Sequence, residues 1–281
     1  MWWKSLCKTL VLALVLASLE LKAESCVSPE SLLELDAQKS QRSQDENLFT
    51  KYDQEVEAIK QTLPLNLSLT EQKKLISKQI DELNQKSLQS FLVKASKFSL
   101  FSRLSQKTGE QILKKLATHP IAGEQALAKY GENATEIGFC FGRATFVHLE
   151  LLRAGIQAEK IVKIFAVGGL FNQGVGWDYH VATAFQDNLG FWWVVDSLLT
   201  EVYGLQQWMQ KISEWDGDQV NPRLRYYFSD AYKFQPQAGY YSLSRFNSDL
   251  YRGYFKDLFK WYRTPQNCIK NKLIKDQFDR L

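Results

Sequence analysis

The chain has 281 residues, of which 45% are hydrophobic and 23% charged, and a formal charge of +4. That balance belongs to a folded protein with ample material for a core, and it excludes a disordered chain. Lys and Arg are interleaved with acids, so the concentrated basic face that nucleic-acid binding needs is missing and no nucleic-acid partner is expected. There is no phosphate-cradling glycine motif, no Cys/His cluster at metal-ligand spacing and no internal repeat, so neither a cofactor nor a metal is expected.

In chain order, Met1-Trp-Trp-Lys4-Ser-Leu-Cys7-Lys8 and the apolar run from Leu10 to Leu19 read as the basic and apolar parts of a secretory signal over residues 1–23, with Ala23 as the small residue for cleavage. Leu21 is larger than the ideal at its position, which keeps an uncleaved anchor as the alternative. The apolar run is short for a bilayer span, and no later stretch is long enough. The mature chain is therefore expected to be secreted or periplasmic, without stable membrane association once the signal is cleaved. Removing residues 1–23 takes away Lys4, Lys8, Lys22 and Glu20 and lowers the formal charge to about +2.

Residues 24–108 are rich in Leu, Lys, Gln and Ser at helical spacing. Phe49, Tyr52, Val56, Ile59 and Leu63 mark one stripe that ends at Pro64. Ser68-Leu-Thr-Glu71 is a capping box that opens a second long helix, expected to break before Phe98. None of the fifteen glycines precedes Gly109, and every tryptophan outside the signal lies at or beyond Trp177, which places a boundary at residue 109. Residues 109–281 then form a compact mixed domain. The helical region before it reads as a pro-segment covering a site or as a permanent subdomain.

The chemistry is carried by three blocks within 109–281. Gly138-Phe-Cys140-Phe-Gly-Arg143-Ala144 opens a helical run whose stripe is Cys140, Ala144, Val147 and Leu151, with Gly155 just past its end. Trp177-Asp-Tyr179-His180-Val-Ala and Val194-Val-Asp196 follow. Tyr179 to Gln186 and Gly190 to Asp196 are rich in β-branched and aromatic residues, and Asp187-Asn-Leu189 between them is turn chemistry, so the two read as a hairpin. Centred near Asn188, that hairpin puts His180 opposite Asp196 on one face; a slip of a single residue would send them to opposite faces. Cysteine attack needs the thiolate, which a helix N-terminus and an imidazolium both favour. Cys140 has the first, and His180 would supply the second. His148 lies two turns along the same helix, about 12 Å of rise away, too far to act as the base, and reads as a helix-surface or core-edge residue. His119, before Pro120, sits in what reads as a loop with no partner.

Export leaves Cys26, Cys140 and Cys268, an odd number in a compartment that permits disulfides. If Cys140 stays a free thiol, the remaining pair is Cys26 with Cys268; the alternative is two unpaired thiols in a reducing environment.

The order of a helix-start cysteine, a strand histidine and a strand aspartate is that of the papain and transglutaminase class. The expected fold class is α+β, a papain/transglutaminase-like core with a Cys-bearing helix on an antiparallel sheet. Cys140-x-x-Arg143-Ala144, Trp177-x-Tyr179-His180-Val181-Ala182 and Asp196-x-x-Leu199, with an aromatic echo from Tyr226 to Tyr232, resemble the bacterial protein-glutamine glutaminases over about a third of the chain. The resemblance implies Cys140 as nucleophile, His180 as general base and acid, Asp196 as the residue orienting the imidazole, and a protein or peptide as substrate. Members of that family tend to have Asp-Pro where this chain has Asp196-Ser197.

Trp177 and Tyr179 are the candidate substrate contacts, Trp177 as a wall of a slot for a flat amide or as simple packing. Gly168-Gly-Leu-Phe-Asn-Gln-Gly-Val-Gly176 reads as a flexible connection, and Arg143 as a clamp on the helix end or a neighbouring loop. The Cys140 backbone N–H is the expected oxyanion donor, with a second donor not identifiable from sequence. A cysteine peptidase or a transglutaminase would use the same triad, and a non-catalytic binding protein would use none of it. The aromatics beyond Tyr226 read mainly as packing, with a protein-binding groove as the alternative.

Overall fold

The computed structural model describes residues 26–29, 32–33, 46–94, 105–130, 139–172, 174–216, 223–237, 239–251 and 253–270. The signal at 1–23 and the helix break before Phe98 lie outside the described residues. Among them the chain is α+β, with eight α-helices and a five-stranded antiparallel sheet.

A first helix, α1 (Leu48–Gln61), starts at Asn47, whose side-chain oxygen accepts from the Phe49 and Thr50 N–H groups at 3.0 and 3.3 Å. The next, α2 (Leu69–Lys94), opens on the expected capping box: the Ser68 N–H donates to the Glu71 carboxylate at 2.9 Å and the Glu71 N–H to Ser68 Oγ at 3.3 Å. The apolar stripes meet, with Val56 and Ile59 of α1 packed on Ile76 and Ile80 of α2. Lower on α2, Leu88 enters the core beside the sheet. The amide of buried Asn84 bonds the main chain there, Nδ2 donating to the Leu224 carbonyl and Oδ1 accepting from the Tyr226 N–H, both at 2.9 Å.

The compositional boundary at Gly109 falls inside a third helix, α3 (Gln106–Ala117). There a Cβ on Gly109 would come within 3.1 Å of Phe185 and Val202, so the first glycine of the chain marks a close approach of helix to sheet. A short α4 (Glu124–Leu127) precedes α5 (Cys140–Arg153), which ends at Gly155, with φ 82°.

The sheet comprises β2 (Ile161–Asn172), β3 (Val175–Gln186), β4 (Trp192–Val195), β5 (Tyr203–Gly204) and β6 (Arg225–Asp230) in the order β5-β4-β3-β2-β6. Strand alternation sorts its side chains: Val181 and Phe185 pack with α5, whereas Ala182 and Ala184 pack with Leu88 of α2 and with α6 (Leu205–Ser213). Over the outer side of α5 lie α7 (Leu243–Phe246) and α8 (Tyr254–Tyr262), where Phe234, Tyr241, Phe246, Tyr254, Phe255, Phe259 and Tyr262 form one aromatic layer. The late aromatics are packing, as the sequence indicates.

A disulfide joins Cys26 to Cys268, with Cα atoms 5.4 Å apart. It sits on a small antiparallel pair, β1 (Cys26–Val27) with β7 (Ile269–Lys270). No helix among the described residues is long and apolar enough to cross a membrane.

Candidate active site

Cys140 begins α5 immediately after Phe139, the one described residue other than glycine with a positive φ, 36°. A left-handed aromatic residue costs energy, which must be offset by its surroundings. Phe139 is 1% exposed and its ring meets those of Tyr130, Phe141 and Tyr254. This wedge turns the chain directly into the helix. Phe139 has no side-chain acceptor, so the first-turn N–H groups receive no cap from it. The thiol behind it is free of disulfide, and Cys140 is 7% exposed.

The hairpin forms, but in a shifted register. Thr183 faces Val195 and Gln186 faces Trp192, so His180 is not directly opposite Asp196. The turn is longer than expected: Asp187 Oδ1 accepts from the Leu189 and Phe191 N–H groups, each at 2.9 Å, and Oδ2 accepts from Trp193 Nε1 at 2.8 Å. The displacement is two residues, which keeps the parity of the pleat. Asp196 lands one residue past β4 on the His180 face, as a diagonal rather than a facing partner. His180 Nε2 and Asp196 Oδ2 are 2.7 Å apart, and both side chains are fully buried.

The carboxylate is held from two further directions. Asp196 Oδ1 accepts from the Leu198 N–H at 2.9 Å, and Oδ2 accepts from Trp208 Nε1 at 2.7 Å. The first bond makes the Asp196-Ser197-Leu198 turn through the aspartate's own side chain, where members of the resembled family tend to have a proline. Burial presses the Asp196 carboxyl upward, yet His180, Leu198 and Trp208 together hold it below its ordinary value. Burial likewise presses His180 down. The charge and hydrogen bond of Asp196, reinforced by the Cys140 thiol, overcome this and raise it to about 9. The thiol bears on the ring without completing a regular hydrogen bond to Nδ1, which has no partner of good geometry. The structure thus brings Cys140, His180 and Asp196 together.

Tyr179 packs edge-on against Phe49 of α1, ring centroids 5.8 Å apart. Burial, and then the neighbouring Cys140 and Tyr251, drive its hydroxyl well above the usual range. Trp177 is one ring removed from His180: it meets Trp215 at 6.2 Å, and Trp215 meets His180 at 5.9 Å. Buried Arg143 lines a cleft of about 750 Å³ with Ser197, Leu198 and residues of α3.

His148 is not at a surface or a core edge. It is 0% exposed, and burial followed by the charge of Lys163 pushes it down to about 3, so it is neutral. His119 has partners: its Nδ1 accepts from the Ile121 and Ala122 N–H groups at 3.2 and 2.9 Å.

Sequence reasoning missed Phe139, Trp208, Trp215 and Lys163. Lys163 carried a signal, a lone cation inside the apolar run from Ile161 to Val167. It is 0% exposed, donates to the Lys233 carbonyl at 2.6 Å and lies 4.5 Å over the Tyr241 ring. Burial depresses it well below the ordinary lysine value against the pull of Cys140 and Asp230.

Comparison of the chain with protein-family models, with curated proteins and with solved structures finds no match in any of the three.

Proposed function

We propose that the chain is an exported thiol amidohydrolase that deamidates glutamine side chains of proteins or peptides. The observation that carries this reading is the buried 2.7 Å contact of His180 Nε2 with Asp196 Oδ2, with the Cys140 thiol bearing on the same imidazole. Cys140 Sγ attacks the carboxamide carbon, and the oxyanion meets the N–H at the start of α5. His180 delivers its proton to the departing ammonia, leaving a thioester; it then takes a proton from water, whose attack releases glutamate and the thiol. Asp196 holds the imidazole orientation throughout.

The helix-start cysteine, the strand histidine and the aspartate after the next strand support a papain/transglutaminase-like reading of the α+β core. The signal-like residues 1–23 and the Cys26–Cys268 disulfide support a secreted or periplasmic location. His180 and Asp196 are 0% exposed, so substrate entry requires a covering group to move. Among the described residues of the 24–108 region, Phe49 on Tyr179 is one such cover.

The test is one protein substrate assayed side by side for ammonia, new peptide termini and crosslinks. Ammonia alone supports deamidation. New termini would make the chain a peptidase and crosslinks a transglutaminase; none of the three, from folded protein, would leave a binding role.

A further inference from the structure

We propose that Trp208 is a positioning residue of this site: its indole N–H shares Asp196 Oδ2 with the His180 imidazole and, by drawing off part of the carboxylate charge, sets the proton affinity of His180. The inference rests on the triad reading. It concerns a residue outside all three sequence blocks, twelve positions beyond Asp196.

Both donors reach the same oxygen at 2.7 Å, Nε2 of His180 and Nε1 of Trp208. Trp208 is 0% exposed on α6, and its ring lies nearly parallel to that of His180, 28° apart with centroids at 6.2 Å. A buried carboxylate oxygen that accepts two strong bonds divides its charge between them. The other oxygen is occupied by the Leu198 N–H, so the carboxylate is held on both oxygens. Among the described residues, the titratable groups bearing on His180 are Asp196 after β4 and Cys140 of α5. On the neighbouring strand Ala166 stands opposite, and α6 and the chain after it contribute the rings of Trp208 and Trp215, which carry no charge.

The consequence for chemistry is direct. His180 must hold a proton to expel ammonia and then lose it to activate water, so an imidazole bound to an unshared buried carboxylate would be too basic for the second task. The Trp208 N–H tempers that basicity.

The experiment replaces residue 208 of the full chain with benzothienylalanine, which keeps the ring shape and exchanges N–H for sulfur. Trp208→Phe serves as a second variant that also lacks the donor. His180 is titrated by nitrogen NMR in the Cys140→Ala background, so the readout needs no turnover. The expected result is an imidazole pKa raised by about half a unit or more in both variants. With Cys140 present, kcat should fall on the order of tenfold while KM is held. An unmoved or lowered His180 titration in the benzothienyl variant overturns the proposal, even if kcat falls, because the loss would then be one of packing. A wild-type protein that releases no ammonia would sink the proposed function and leave the titration result standing.

Discussion

Helices α2 and α5 are built on opposite plans. In α2, 26 residues long, only Ile76, Ile80, Asn84 and Leu88 are buried, one on each successive turn. In α5, 14 residues long, every residue from Cys140 to Leu152 is buried. The first is a cover with one wet side; the second runs between the sheet and the aromatic layer and has none. Polar groups on α5 therefore depend on partners inside the protein, although both ring nitrogens of His148 accept or donate no hydrogen bond among the described residues. Thr145 Oγ1 donates to the Phe141 carbonyl at 2.8 Å, and the Glu150 carboxylate accepts from Lys115 at 2.6 Å and from the Tyr262 hydroxyl at 2.8 Å. A thiol at the start of such a helix is fixed in place by the whole core, while the cover can be altered without moving it.

The strongest way to sharpen this contrast is at the fixed end. Cys140→Ala is expected to abolish ammonia release while leaving the fold intact by circular dichroism, and iodoacetamide should label Cys140 ahead of the disulfide-bonded Cys26 and Cys268. Full activity in that variant would remove the enzyme reading.

Next in size, Asp196→Asn should fold yet lose on the order of a hundredfold or more in kcat, because the amide favours the wrong imidazole tautomer. His148→Ala, two turns from Cys140 on the same helix, should lose stability as a fully buried side chain but, at temperatures where it stays folded, keep far more turnover than Asp196→Asn. The reverse ranking would mean that the base has been misassigned.

Acidity offers a third test. His180 is raised from 6.5 to about 9, so the stability it contributes is complete below 6.5 and is lost as the pH climbs through about 9. Asp196 is lowered, so its contribution is present above the ordinary aspartate value and is lost only in stronger acid. Turnover should fall above about pH 9, together with the denaturation midpoint. A rate that keeps rising well past that point would separate His180 from the chemistry.

The smallest effects belong to the cover. Asn84→Ala strands the Leu224 carbonyl and the Tyr226 N–H and should cost roughly 2 kcal/mol in urea unfolding. Lys78→Ala and Lys86→Ala, on the exposed side of α2, should change stability by less than about 0.5 kcal/mol. Equal costs at all three positions would mean that α2 is not a one-sided cover.

Much of this was legible along the chain. The stripe of α1, the capping box of α2, the start of α5 and the hairpin all follow from periods of 3.6 or 2 and from end signals. The His180 and Asp196 pairing was legible in a weaker sense. The turn around Asp187 lengthened the loop and displaced the register, but by an even number of residues, so the shared face survived. At Gly109 the composition profile carries a second message, because a glycine that lets α3 approach Phe185 looks the same in it as one that begins a domain.

What the sequence determined by itself is local: which residues share a helix stripe or a strand face, where helices begin and end, and hence that a thiol, an imidazole and a carboxylate occur in an order that chemistry can use. The tertiary structure decided how they are held. It buried His148 and Lys163, set Trp215 rather than Trp177 beside His180, braced Phe139 in a left-handed turn and brought Trp208 onto the oxygen that binds His180. Periodicity reports on neighbours a few residues apart, whereas each of these outcomes depends on which apolar faces pack together once the sheet, α5 and α6 have closed on one another.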